Sequence, residues 1–202
     1  MVEVQRQYFK NKQTMSFKEY IFYIRKFILV AFSVFSFSII FGYFFTQSFP
    51  MQTEMLLEEL MQKFEPVIKM SPLEQFLVIF LNNSLIAFAG ILLGLIFAVV
   101  PLIILFSNGF LLGVMFNFVQ SAAGWPTFFA LILPHGIIEI PTAVLACAAG
   151  LKLGKTVFNK IFNKEGSIKK ELNYALVFFL KFLFPLLAIA AIIETFFINQ
   201  FL

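Results

Sequence analysis

The sequence predicts an all-α membrane protein, a bundle of about five transmembrane helices with a short amphipathic helix in its first outer loop. Three observations carry this. Of the 202 residues 60% are apolar and 31 are Phe, giving a mean hydropathy of +0.91 that no soluble domain of this size could bury. The apolar residues come in runs long enough to cross about 30 Å of hydrocarbon as helix. Ten-residue alternating segments, the signature of a membrane barrel, are absent from the sequence.

The elements follow in order. Residues 1–26 carry six Lys and Arg and read as a cytoplasmic interfacial segment. Within it Ser16 and Glu19 form a capping box, with Met15 and Tyr20 placed as a hydrophobic staple. The first span is expected at 27–45, a retained anchor without a small-residue cleavage site after it. In the connection that follows, Leu57, Leu60, Met61 and Phe64 recur at helical spacing, so an outer amphipathic helix is expected over 53–65, ended by Pro66. Ser71-Pro72-Leu73-Glu74 unites an N-cap, a first-turn proline and a capping-box acid at the start of the second span. The apolar stretch beyond is too long for one crossing. Ser107-Asn108-Gly109 is its natural break, giving spans 76–106 and 110–123, the latter either a short crossing or a re-entrant half-helix. Gly124-Trp125-Pro126 makes a turn into a fourth span, 126–150. A basic loop holds the six Lys of 152–170, and Ser167 can cap the approach to a fifth span at 172–198.

Charge chooses between the alternatives. Residues 46–75 hold two Lys against five Glu, whereas the two basic stretches hold six cations each. Five crossings put both basic stretches on the cytoplasmic side, with the N-terminus in and the C-terminus out of the cell membrane. A re-entrant third segment would put the second basic stretch outside.

That topology brings polar residues of four helices into one slab of the outer half of the membrane. They are Asn82 and Asn83, Asn117, His135 with Glu139, and Glu194, the first three lying roughly 10 Å below their outer helix ends. His135 and Glu139 share a helix face at i, i+4 between Pro134 and Pro141, each of which frees a backbone carbonyl and kinks the helix. Ionisable groups in a span mark a functional site by default, because a central charge costs about 2.5–3.5 kcal/mol on insertion scales. The plainer alternatives are a polar clasp between helices and asparagines acting as interhelical glue. Gly90/Gly94, Gly109/Gly113 and Gly150/Gly154 are GxxxG pairs, read first as packing within one chain and second as a surface for a homo-oligomer.

Enzyme signatures are lacking: there is no HExxH, nucleotide loop, ordered Ser/His/Asp set or cysteine pair, Cys147 being the only cysteine. No catalytic residue, metal or cofactor is expected; a zinc site drawn from His135, Glu139 and Glu194 would be an unusual ligand set. The basic stretches are explained by topology and anionic headgroups, with no nucleic-acid motif.

The stretch Pro134-His135-Gly136, Glu139 and Pro141, followed by small residues to Gly150 and Gly154, resembles the stage II sporulation protein M family. Asn82/Asn83 leading to SNGFLLG at 107–113, and AIIET at 191–195 with Glu194, are similar to that family as well, so the likeness covers roughly residues 20 to 200. The resemblance implies about five spans. Sporulating members are associated with septal membrane and engulfment beside a peptidoglycan hydrolase pair acting outside the membrane, while similar proteins occur in bacteria and archaea that make no spores. Three functions follow as expectations. The first is a non-enzymatic scaffold that binds envelope-complex proteins through the outer helix and polar pocket. The second is a small transporter or channel-like protein in which His135, Glu139 and Glu194, with Asn82 and Asn117, bind a proton, ion or headgroup from the outer side, and the third is an intramembrane metal-dependent hydrolase.

Overall fold

The computed structural model describes residues 15–201, without the side chains of Leu131, Leu133, Pro134, His135 and Phe201. Of the described residues 92% are helical and none lies in a strand. Among the described residues five helices are long and apolar enough to cross a membrane: Phe17–Ser48, Pro72–Leu95, Val99–Ala123, Gly136–Phe162 and Ile168–Gln200.

Helix α1, Phe17–Ser48, starts where its capping box dictates. The Ser16 N–H donates to Glu19 Oε2 (2.9 Å) and the Glu19 N–H to Ser16 Oγ (3.4 Å), satisfying two of the orphan donors of the first turn. Met15 and Tyr20, the staple pair, are both buried. The cytoplasmic segment expected at 1–26 otherwise falls largely outside the described residues. Helix α2, Pro50–Ile68, runs longer than the expected 53–65 and passes through Pro66. That proline sits in the last turn of an exposed helix, where the carbonyl it deprives of a partner can turn to water.

Helix α3, Pro72–Leu92, opens on its own capping box (Ser71 N–H to Glu74 Oε2, 2.9 Å) and tightens into a 3-10 turn over Leu93–Leu95. Here the structure departs from the expected boundaries. The break between the second and third spans is not at Ser107-Asn108-Gly109 but at residues 96–98, where Phe97 (φ 48°) and Ala98 (φ 65°) turn the chain in the left-handed region. Helix α4, Val99–Ala123, then runs unbroken through Ser107-Asn108-Gly109. The reason is local satisfaction. Asn108 donates its amide back to Ile104 O (2.8 Å), and Gly109 serves a close helix approach, where a β-carbon would strike Ser38 Oγ and Phe35 O of α1. The third span is therefore full length, not a half-helix.

Helix α5, Trp125–Phe162, also outruns the expected 126–150. Most of the expected basic loop is helix, because Gly150 and Gly154 are buried packing positions rather than a stop. A β-carbon on Gly150 would strike Gly90 O and stand 2.9 Å from Pro101; one on Gly154 would meet Ala98 and Gly94 O (2.7 Å). The last span begins as α6, Ile168–Phe178, capped by Ser167. It widens to a π turn over Phe179–Leu183 and continues as α7, Phe184–Phe201. Pro185 supplies the cause: it has no N–H to give and its ring crowds the preceding turn, which the wider turn relieves.

Glycine sets how these helices pair. Gly109 and Gly113 of α4 lie against α1, and Gly42 of α1 lies against Phe110 of α4; Gly90 and Gly94 on the α3 side face Gly150 and Gly154 of α5. All three GxxxG pairs are thus consumed inside the chain, where small residues let backbones approach without a hydrophobic driving force.

Candidate functional site

Two polar groups fall at opposite ends of the bundle. At one end α1 starts, α5 ends and α6 starts. Lys152 of α5 forms an ion pair with Glu171 of α6 (2.7 Å), and both side chains are largely buried, at 17% and 5% exposure. Tyr23 of α1 donates its hydroxyl to the same Glu171 oxygen (2.8 Å), and its ring lies 5.0 Å from the Lys152 ammonium. Lys152 donates also to Thr156 one turn on (3.0 Å). The other Glu171 oxygen and the Tyr20 hydroxyl are buried without a hydrogen-bond partner among the described residues. Sequence reasoning misses this group, since it places Lys152 in a loop. The signal available is an acid, Glu171, set directly after Lys169 and Lys170 at the entry to an apolar span.

At the opposite end Asn199 of α7 donates to Gln75 Oε1 of α3 (2.6 Å), while fully buried Gln75 donates to the carbonyls of Ile68 and Met70 (both 3.2 Å). This clasp joins the start of α3 to the end of the last span and is equally invisible in the sequence.

Between the two lie the residues singled out from the sequence. Glu139 of α5 and Glu194 of α7 are both half-buried and close enough for the charge of one to act on the other. The adjacent Thr195 is buried, and its hydroxyl has no hydrogen-bond partner among the described residues. His135 lies one helical turn before Glu139 on unbroken α5, but its side chain, like that of Pro134, is outside the described residues. Pro141 is exposed, and the helix continues through it. Asn117 donates to Tyr43 O (3.4 Å), tying α4 to α1. Asn82 is exposed and donates to half-buried Asn83 (3.2 Å). Among the described residues the structure therefore brings together the two carboxyls, while Asn117 serves a different helix pair. No cluster of three or more metal-ligand side chains occurs among the described residues, which do not include the His135 imidazole.

Five apolar crossings, glycine-sealed helix pairs and sparse polar clasps define a multi-pass α-helical membrane protein. More narrowly, the chain belongs to the stage II sporulation protein M family, whose family model matches residues 31–197. It is similar to the uncharacterized protein MJ0706 of Methanocaldococcus jannaschii, 30% identical over 121 residues, which is 58% of this chain and 53% of that protein. The chain thus aligns with about half the length of that relative. No solved structure gives a significant match.

Proposed function

We propose that the chain is a non-enzymatic scaffold of the cell membrane that holds partner proteins of an envelope complex through α2, with its N-terminus in the cytoplasm and its C-terminus outside. The observation that supports this is the isolation of α2. Only Thr53 of its residues is buried, and Met51, Met55, Met61, Phe64 and Ile68 stand exposed beside Glu54, Glu58 and Glu59. Exposed apolar side chains interspersed with acids, on a helix held clear of its own bundle, suit contact with another protein at the membrane surface. Photo-crosslinking from position 55 or 61 in intact cells tests it. A discrete adduct that disappears when Glu54, Glu58 and Glu59 are changed to Lys, with insertion unchanged, is the expected result. An adduct pattern indifferent to that charge reversal rejects the scaffold.

The proximity of Glu139 and Glu194 favours a second reading, a small carrier or channel that takes a proton, ion or headgroup at the two carboxyls. A proteoliposome flux abolished by Glu139→Gln or Glu194→Gln would favour it over the scaffold. Orientation is tested separately: Lys164→Cys should react only with permeant thiol reagents, and Gln62→Cys with impermeant ones as well.

A further inference from the structure

Away from the acids, a cleft of about 550 Å³ opens between α1, the 96–98 turn and α5. Its walls are apolar: Phe27 and Val30 from α1, Phe97 and Leu102 from the turn and α4, Phe158 from α5. Val30, Phe97 and Phe158 are each about half exposed (48–49%), so the cleft is open on the side that faces acyl chains. Its polar groups are Lys155 and Asn159, one turn apart on α5, and Lys26 precedes Val30 by one turn on α1.

Lys155 is exposed and has no ion-pair partner among the described residues. The turn that forms one wall is strained, because two consecutive residues with side chains, Phe97 and Ala98, hold left-handed backbone. Gly154 lets that turn lie directly on α5. This end of the bundle is also the one where the basic stretches of α1 and α5 meet, as the Tyr23–Glu171–Lys152 contacts require.

We propose that this cleft is a binding site for an anionic phospholipid, with one acyl chain along Phe27, Val30 and Leu102 and the phosphate at Lys155 and Asn159, beside Phe158. The charge pattern commits the site to a lipid rather than a protein helix. Apolar walls end in a cation that is unpaired among the described residues and an amide donor at headgroup height, as a lysine that snorkels from a span would place them. One such lysine gives about a fivefold preference for an anionic over a zwitterionic headgroup.

The test uses the purified full chain in detergent, titrated with phosphatidylglycerol and phosphatidylcholine of identical acyl chains and read by native mass spectrometry. Wild type should retain phosphatidylglycerol about fivefold over phosphatidylcholine. Lys155→Gln should bring the two level, while Lys164→Gln, in the loop beyond α5, keeps the preference. Leu102→Trp and Val30→Phe, which fill the cleft, should lose both lipids while their thermal unfolding stays cooperative. Equal retention in wild type, an unchanged ratio in Lys155→Gln, equal losses in the two lysine variants, or full retention in the filled variants would each overturn the site.

Discussion

The Lys152–Glu171 pair offers the sharpest energetic prediction. Lys152→Met leaves Glu171 with the Tyr23 hydroxyl as its remaining partner, in a place where only 5% of the side chain reaches solvent. Orphaning a buried charge costs about 3–5 kcal/mol, and this carboxyl has little route to water. Glu171→Gln is milder. Lys152 keeps 17% exposure, its bond to Thr156 and the face of Tyr23, so its loss should be about 2 kcal/mol. The double variant Lys152→Met/Glu171→Leu removes both charges and should cost less than Lys152→Met alone, because the desolvation of two ions vanishes with their attraction. Reversible unfolding in mixed micelles, followed by circular dichroism, gives these values together with that of Glu171→Leu as a double-mutant cycle. Additive costs, or a Lys152→Met loss below about 1 kcal/mol, would mean that the two side chains do not act as a buried, coupled ion pair.

Gly113→Ala puts a methyl group on Ile39 O and 2.9 Å from Tyr43 N, so α1 and α4 must part; a loss of about 2 kcal/mol is expected in the same unfolding assay. Gly90→Ala comes tightly only on Cys147 Sγ, at 3.1 Å, with Ile104 at an ordinary 3.8 Å, and should cost less than about 1 kcal/mol. Ala98→Gly relieves a left-handed residue (φ 65°) and should stabilise the protein by about 1 kcal/mol, read as a rise in the unfolding midpoint.

Helix starts are legible because they are written in side chains. Ser16/Glu19 and Ser71/Glu74 close the boxes their spacing promises. Helix stops are not. The true turn at 96–98 uses Phe97 and Ala98, residues that carry no turn signal, while Ser107-Asn108-Gly109 carries one and is spent on packing. Glycine is ambiguous in a span for this reason: the missing side chain that permits a turn also permits contact, and only a partner helix decides between them. The polar clasps are hidden for a related cause. Gln75–Asn199 and Lys152–Glu171 join residues 124 and 19 positions apart, which no local pattern reveals. The approach of Glu139 to Glu194 follows from depth along two helices, a quantity that topology alone supplies.

The two clasps also bear on motion. A carrier that exposes Glu139 and Glu194 alternately to each side must rock α7 against α3 and α5. The Gln75–Asn199 bond pins α7 to α3 at one end, and Lys152–Glu171 pins the last span to α5 at the other. A scaffold has no need to open either. Gln75→Cys/Asn199→Cys, bridged by a short bifunctional thiol reagent with Cys147→Ala as background, fixes the first contact covalently. The scaffold expects the bridged protein to keep its α2 crosslinks to partners. Partner crosslinks lost on bridging and restored when the bridge is cleaved would mean that rocking is required, and the rigid scaffold would be refuted.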